Sequence, residues 1–253
     1  MRKLTTLFLG LILLTSCGEN EVDSSKLVER RGLTYEVNSE TPFTGVSLTK
    51  YDNDQIKEKV HYEEGLKIGE ENSYSKRGLI TKNITYENGE EVTKTIYTYH
   101  KNDKLEWKQT LKGDKPHGTW ISNYQNGQLE VEVNLENGKR HGHFERYYRN
   151  GQLEMQGKFK YDVQDGPWIA YYENGQLLEE GTYKNGKKDG PFEFYYENGQ
   201  LKEKGTFKDG KREGRWVFNT GDGEKRLISE KSSDGYILDQ GSGTYKDGKK
   251  ISD

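Results

Sequence analysis

The feature that most constrains this chain is an internal repeat with a strict period of 24 residues. The tetrapeptide Asn-Gly-Gln-Leu occurs at that spacing, beginning at Asn126, Asn150, Asn174 and Asn198. An aromatic column runs in phase with it: Trp120, Phe144, Trp168, Phe192 and Trp216. Weaker copies extend the pattern, so that about eight units fill residues 32–253 and the most regular ones lie at 118–218. Such self-similarity predicts a repeat array in which each unit buries its apolar face only against its neighbours.

Each unit contains two turn signals, which predicts two β-strands per unit. One signal is the Asn-Gly of the tetrapeptide, and the other is Asn137-Gly138 or its counterparts. Both favour a type I′ turn, because its two central residues need positive φ. A turn at Asn198-Gly199 would pair Tyr196 with Leu201 and Phe192 with Gly205, and the Phe192 ring would then cover the glycine opposite it. Where Tyr161-Asp162 replaces Asn-Gly, we expect a different turn.

Strand alternation separates the side chains of a unit into two faces. The five aromatic residues of the column fall on one face, which we predict to be the core of the repeats. Tyr147, Tyr171 and Tyr195 fall on the opposite, polar face at one-unit spacing. Tyrosine combines apolar area with a hydroxyl group, so these three are a candidate binding stripe for protein or glycan. The alternative is that they only shield the second face of the sheet.

Composition supports an all-β chain. Ala170 is the only alanine, whereas helical proteins use alanine freely. Only 30% of the residues are hydrophobic, but 12% are aromatic and the 30 glycines recur at fixed spacing. We therefore predict an elongated, rod-like array of stacked antiparallel β-hairpins that forms a single twisted sheet. The balance of 39 basic and 42 acidic residues gives no nucleic-acid footprint.

The first residues are typical of a secretory signal. Arg2 and Lys3 precede the apolar run Leu4–Leu14, which is too short to span a membrane as a helix, since spanning needs about 20 residues. We predict a lipoprotein signal peptide over residues 1–16 and a flexible tether over residues 17–31.

The segment Leu14-Thr15-Ser16-Cys17 resembles a bacterial lipobox, and Cys17 is the only cysteine of the chain. The resemblance implies cleavage before Cys17, followed by acylation of this residue. It also implies anchoring in the outer membrane of a Gram-negative bacterium, because Gly18 is not the aspartate that retains many lipoproteins in the inner membrane. The alternative is an ordinary signal with an incidental cysteine.

The body of the chain also resembles a known family. The segment Tyr183-Lys-Asn-Gly-Lys-Lys-Asp-Gly190-Pro-Phe-Glu-Phe-Tyr-Tyr-Glu-Asn-Gly-Gln-Leu201 is similar to the MORN repeat in its bacterial variant form. The resemblance covers nearly all of residues 41–250, and proteins of this family are often called YwqK-type toxin–antitoxin antitoxins. It implies stacked β-hairpins and a role in protein interaction, sometimes at a membrane.

We find no signature of catalysis or of a cofactor, and we expect a non-enzymatic protein without a bound metal. His117 and His141 begin a polar column that continues as Asp165, Asp189 and Glu213. Its members are about 10 Å apart, which is too far for one ion, so the slot is better interpreted as a polar turn position. Glutamates such as Glu179 are interpreted as solvated strand residues.

Basic pairs recur at the second turn of the units: Lys139-Arg140, Lys187-Lys188, Lys211-Arg212 and Lys249-Lys250. We interpret them as a charged edge that keeps sheets from aggregating. The alternative is a row of cations that meets lipid phosphates or an acidic protein.

Two functional hypotheses follow, and a third, a hydrolase with an unrecognised site, is disfavoured because no nucleophile–base set is visible. The first is a membrane-anchored, non-catalytic module for protein–protein interaction, including an antitoxin-like binder of an unidentified protein partner. The second is a structural element of the envelope that binds glycan or lipopolysaccharide. Neither hypothesis involves nucleic acid, and the oligomeric state is left open because the ends of a sheet can pair with another chain.

Overall fold

A computed structural model of the chain describes residues 20–219 and 242–252, and their regular secondary structure is almost entirely β-strand. One short 3-10 helix spans Ser24–Lys26. The strands, in chain order, are β1 Glu21–Asp23, β2 Leu27–Arg30, β3 Leu33–Glu36, β4 Gly45–Lys50, β5 Ile56–Glu63, β6 Leu66–Tyr74, β7 Ile80–Glu87, β8 Glu90–Tyr99, β9 Leu105–Lys112, β10 Lys115–Pro116, β11 Gly118–Asn123, β12 Leu129–Glu136, β13 Lys139–Tyr147, β14 Leu153–Lys160, β15 Val163–Gln164, β16 Gly166–Tyr171, β17 Leu177–Lys184, β18 Lys187–Tyr195, β19 Leu201–Lys208, β20 Lys211–Phe218, β21 Gly243–Lys246 and β22 Lys249–Ser252.

Twenty of these strands form one sheet, and β2 and β3 form a separate hairpin. From β4 onward, strands that follow each other in the chain pair antiparallel. The short strands β10 and β15 are the exceptions: β10 pairs with β9 beside β11, and β15 pairs with β14 beside β16, so each shares one strand position of the sheet, or lane, with its successor. A further exception is β1, which runs parallel to β4 at the sheet edge. The predicted fold class, an all-β array of stacked antiparallel hairpins, is therefore confirmed.

The loop at the repeated Asn-Gly is longer than the predicted two-residue turn. The Tyr196 amide donates to the Gln200 carbonyl at 2.8 Å, and the Gly199 amide donates to the Tyr196 carbonyl at 2.8 Å. Among the loop residues 197–199, only Gly199 has positive φ, at 81°. These are the marks of a three-residue loop, a type I turn closed by a left-handed residue. The predicted pair Phe192–Gly205 is confirmed, but the pair Tyr196–Leu201 is wrong, because Leu201 lies opposite Tyr195.

The second turn of each unit has the predicted type I′ geometry. Asn137 and Gly138 have φ of 52° and 82°. The different turn predicted at Tyr161-Asp162 is wrong, since these residues also have positive φ, 51° and 71°. The Asp162 amide donates to the Arg140 carbonyl at 2.9 Å, in the place where glycine donates in the other units. Hydrogen bonding to the neighbouring unit thus keeps the turn where the residue types do not favour it.

The segment predicted to be a flexible tether is folded where the structure describes it. Residues 21–30 form β1, the 3-10 helix and β2, and Val22 of β1 lies opposite Ser47 of β4. The Asp23 side chain accepts the Ser25 amide at 2.9 Å and so caps the 3-10 helix. The polar composition of this segment concealed its ability to pair with the first strand of the array. Residues 1–19, with the predicted signal peptide and Cys17, lie outside the described residues.

The apolar core is a row of rings on one face, with neighbouring units in contact edge to face. Phe207 meets Trp216 at 4.8 Å between centroids, and Tyr183 meets Phe192 at 5.6 Å. Of the predicted core aromatics, Trp168, Phe192 and Trp216 are buried, whereas Trp120 and Phe144 are half-buried.

Each of the buried column rings Trp168, Phe192 and Trp216 covers a glycine, although not in the way the sequence suggested. The ring of Phe192 lies over Gly181 in the preceding strand, and Trp216 lies over Gly205 in the same manner. The glycine therefore makes room for the ring of the following unit. A ring that reaches across the boundary between units joins their cores into one.

Replacing Gly181 with alanine tests this packing. The new Cβ would lie 2.4 Å from Cδ1 of Phe192, so the ring must move. We expect a loss of about 1–3 kcal/mol in the free energy of unfolding, measured by urea denaturation. The control Thr182→Ala, which removes an exposed side chain on the opposite face, should change it by less than about 0.5 kcal/mol. Equal stability of Gly181→Ala and wild type would show that the glycine is not required.

Candidate binding face

The three tyrosines of the predicted stripe lie on the face opposite the aromatic core, which we call the polar face. Tyr147, Tyr171 and Tyr195 end the strands β13, β16 and β18, and each is half-buried. Their lanes are separated by two strand spacings, so the tyrosines recur about every 9.6 Å. The sheet thus holds them as a regular row on a rigid element.

Two of these tyrosines form a hydrogen bond with a carboxylate on their own strand. The Tyr147 hydroxyl donates to Oε2 of Glu145 at 2.5 Å, and the Tyr195 hydroxyl donates to Oε2 of Glu193. The hydrogen bond to a carboxylate, together with burial, raises the pKa of each phenol to about 12. Both hydroxyls therefore stay protonated at neutral pH. Tyr171 has Ile169 at the position where the other two have glutamate.

A groove of about 560 Å³ lies on the polar face beside the stripe and spans β13 to β18. Pro167, Ile169 and Pro191 supply apolar lining, and His143 and Lys158 line it from the earlier strands. Pro191 and Glu193 also line a second hollow of about 450 Å³ that leads towards β20. The polar face is therefore concave over the most regular repeats.

A central row of directly opposed residues crosses this face, one from each strand lane. It contains, in order, Ile121, Glu132, Glu145, Gln156, Ile169, Glu180, Glu193, Lys204 and Val217. Two acidic pairs, Glu132–Glu145 and Glu180–Glu193, thus flank the Gln156–Ile169 pair. Like charges directly opposite each other destabilise a sheet. The His143 ring lies 3.0 Å from Glu145, but within residues 20–219 and 242–252 no ion pair involves Glu132, Glu180 or Glu193.

Two ladders of hydrogen bonds at the loop edge hold neighbouring units in register, and the sequence analysis did not find them. The Tyr148 hydroxyl donates to the Tyr171 carbonyl at 2.8 Å, and the Tyr172 hydroxyl donates to the Tyr195 carbonyl at 2.8 Å. Similarly, the Asn150 side-chain amide donates to the Glu173 carbonyl at 3.1 Å. The ladders explain why tyrosine and asparagine recur at these positions. They also fix the backbone of the binding stripe.

The polar column of His117, His141, Asp165, Asp189 and Glu213 lies next to the turns and helps to stabilise them. Asp165 and Asp189 accept the amides of Asn185 and Asp209, each at 3.2 Å, and so cap the turn of the following unit. His141, in the same column, packs against Tyr161 at 4.4 Å between centroids, with the two rings tilted by 47°. No group of three or more metal-ligating side chains occurs in the described part of the chain.

The two residues of each recurring basic pair have different environments. Lys187 is exposed, whereas Nζ of Lys188 lies 4.3 Å from the centroid of the Phe194 ring and 3.0 Å from Glu179. Arg212 is placed in the same way, with its guanidinium 4.7 Å from the Trp216 ring centroid. The interpretation of Glu179 as a solvated residue is therefore wrong, because this carboxylate holds the cation that covers the aromatic face. The second cations of these pairs are engaged within the fold.

Comparison with known proteins shows what the repeats are similar to. No curated relative matches the sequence. Among solved structures, the Tc holotoxin pore of Photorhabdus luminescens aligns with 78% of this chain and 13% of its own, at 13% identity and a TM-score of 0.30. The TcdB2–TccC3 structure aligns with 70% of this chain and 12% of its own, at 14% identity and a TM-score of 0.29. The chain thus spans a small part of each.

Within the part of the chain that the structure describes, no helix is long and apolar enough to cross a membrane. The family model described as "MORN repeat variant" matches five segments, residues 43–64, 116–137, 140–161, 164–185 and 188–209. Each segment coincides with one hairpin of the sheet, as β13–β14 does for residues 140–161. Five hairpins of this chain are therefore similar to the MORN repeat variant, and they form part of one continuous sheet.

Proposed function

We propose that this protein is a non-catalytic binding module that holds a partner protein on its polar face. The observation that carries the proposal is the concave groove of β13–β18 beside the row Tyr147, Tyr171 and Tyr195. Half-buried tyrosines on a rigid sheet offer contact area at a low cost in conformational entropy. Repeated weak contacts along such a surface add up to useful affinity.

The finer form of the proposal concerns location and partner. Acylation of Cys17 would anchor the module in the cell envelope, because several acyl chains each contribute about 0.8 kcal/mol per buried methylene. The outer membrane is the proposed location, because Gly18 is not the aspartate that retains many lipoproteins in the inner membrane. The partner would be a protein of the same compartment. An antitoxin-like role is the special case in which that partner is toxic when it is produced alone.

Replacing Tyr147, Tyr171 and Tyr195 together with serine tests the binding face. In a cross-linking and affinity experiment on the full-length, lipidated protein, we expect the wild type to retain one protein in near-equal amount. The triple variant should retain at least about tenfold less, since interface tyrosines are enriched among binding hot spots. Circular dichroism and the melting temperature establish that the variant is folded.

A matched control is available on the same repeats. Lys160, Lys184 and Lys208 recur with the same period, are exposed at strand ends and do not line the groove. Their triple replacement by serine should leave partner retention unchanged. Undiminished retention by the folded tyrosine variant would remove the polar face from consideration. Recovery of envelope polysaccharide alone would instead support the glycan-binding hypothesis.

A further inference from the structure

The spacing of chemical groups on the polar face indicates what kind of segment fits it. We infer that the groove binds a proline-rich partner segment in the polyproline II conformation, with basic side chains six residues apart. The inference rests on the proposed function and names the partner chemistry of the same site.

The first argument is the availability of the backbone. Between β4 and β21 every lane of the sheet is already paired on both sides, so a ligand on this face cannot join as an additional strand. It must be recognised through side chains, and the groove, which crosses the strands from β13 to β18, directs it across them. A polyproline II segment suits this arrangement, because it has no internal hydrogen bonds and loses little entropy on binding.

The second argument is the distance between the acidic pairs. The centres of Glu132–Glu145 and Glu180–Glu193 are four lanes apart, which is about 19 Å. The Gln156–Ile169 pair lies halfway, about 9.6 Å from each. Six residues of polyproline II span about 18.6 Å, and three residues span about 9.3 Å.

The third argument is the direction of the side chains. Polyproline II has three residues per turn, so residues 1, 4 and 7 of a bound segment face the sheet together. An extended β-type segment has a period of two, and its fourth residue would point away. The order acidic, apolar, acidic on the polar face matches the threefold period.

The fourth argument is complementarity of charge and shape. Glu132 and Glu180 have no ion-pair partner among the described residues, and each faces another carboxylate directly. Glu193 faces Glu180 on one side and Lys204 on the other, without an ion pair to that lysine in the described residues. Basic residues 1 and 7 of the segment would relieve this repulsion. Residue 4, a proline, would contact Ile169 and the neighbouring Tyr171 ring. Lys158 and His143 lie towards the other margin of the groove and do not belong to the central row.

Synthetic peptides test the inference by calorimetry on the full chain. The probe has arginine at both ends of five prolines, which places the cations at residues 1 and 7. Controls are the same peptide with four prolines, one with glutamate in place of arginine, and one with a Gly-Ser spacer of equal length. We expect the first peptide to bind at least about threefold more tightly than each control, because only this peptide combines the spacing with preorganisation.

The double variant Glu180→Gln/Glu193→Gln should weaken binding of that peptide about fivefold, the loss expected for two half-exposed ion pairs. The matched control Glu173→Gln/Glu197→Gln makes the same charge change at exposed loop positions and should have no effect. Equal affinity for the four- and five-proline peptides, or equal loss in both double variants, would overturn the inference in favour of non-specific charge attraction.

The peptide and tyrosine-variant experiments together distinguish a failure of the inference from a failure of the proposed function. If the tyrosine variant loses its natural partner but no proline-rich peptide binds, the inference is wrong and the binding face stands. If neither a protein partner nor a peptide depends on the polar face, both are wrong. Saturable binding of an oligosaccharide, without binding of any peptide, also overturns the inference.

Discussion

Glu71→Ala is expected to lower the free energy of unfolding by about 3–5 kcal/mol, because it breaks a buried ionic cluster. The residue is only 3% exposed. Its carboxylate accepts hydrogen bonds from Lys67 at 2.7 Å, from Lys82 at 3.1 Å and from the Tyr86 hydroxyl at 3.2 Å. Without Glu71, two ammonium groups on neighbouring strands would repel each other beside an empty space.

The place in the sheet that Glu71→Ala destabilises is as informative as the size of the stability loss. Units of a repeat array unfold partly independently, so hydrogen exchange should accelerate in β5–β8 much more than in β17–β20. Glu70→Ala is the control, because this neighbour is exposed and should change stability by less than about 0.5 kcal/mol. A uniform acceleration, or no effect of Glu71→Ala, would contradict a local ionic core.

The same cluster makes a pH dependence predictable. Burial alone would raise the pKa of Glu71, but the hydrogen bonds and charges of Lys67 and Lys82 outweigh it and hold the pKa below its usual value. A depressed carboxyl pKa contributes stability that is present above the pKa of the unfolded chain and is lost as the pH falls through the folded value. The stability difference between wild type and Glu71→Gln should therefore be largest at neutral pH and shrink in acid.

Trp216→Ala is expected to destabilise the C-terminal repeats by about 3–5 kcal/mol, the usual cost of removing a large buried aromatic residue. Trp216 is fully buried and packs on Phe207, with Phe218 and Tyr245 around it. Its Nε1 also donates to the Thr206 carbonyl at 3.1 Å. Urea denaturation and hydrogen exchange in β19–β22 measure the loss.

Trp120→Ala is the matched control, since Trp120 occupies the same position of an earlier unit but is half-buried. We expect less than half the effect there, because burial of apolar area sets the size of the loss. Equal losses at the two positions would mean that the repeat position, and not local burial, decides stability.

The period and strand alternation were sufficient to predict the fold and the two faces. The exact turn at Asn198-Gly199 was not predictable in the same way, because Asn-Gly suits both a two-residue turn and the longer loop that Gly199 closes. The side-chain parity survived this error, since a bulge between Phe194 and Tyr195 compensates for the longer loop.

The features that the sequence did not reveal depend on contacts between units. The tyrosine stripe was identified from parity, but nothing local shows that Glu145 lies opposite Glu132 or that the Phe192 ring covers Gly181. Glu71 is a similar case, because Lys82 and Tyr86 become its partners only after β6 and β7 are paired. Such contacts require the registers of neighbouring strands, which a period alone does not give.

The hydrogen-bond ladder at the loop edge has a consequence for how this chain can evolve. Each tyrosine donates forward to the next unit, from Tyr124 to the Tyr147 carbonyl and from Tyr148 to the Tyr171 carbonyl. A duplicated segment of 24 residues would bring its own donor and acceptor and leave the ladder whole. Gene duplication in multiples of one unit can therefore lengthen or shorten the protein without a new fold, whereas an insertion of another length within a strand would interrupt the series.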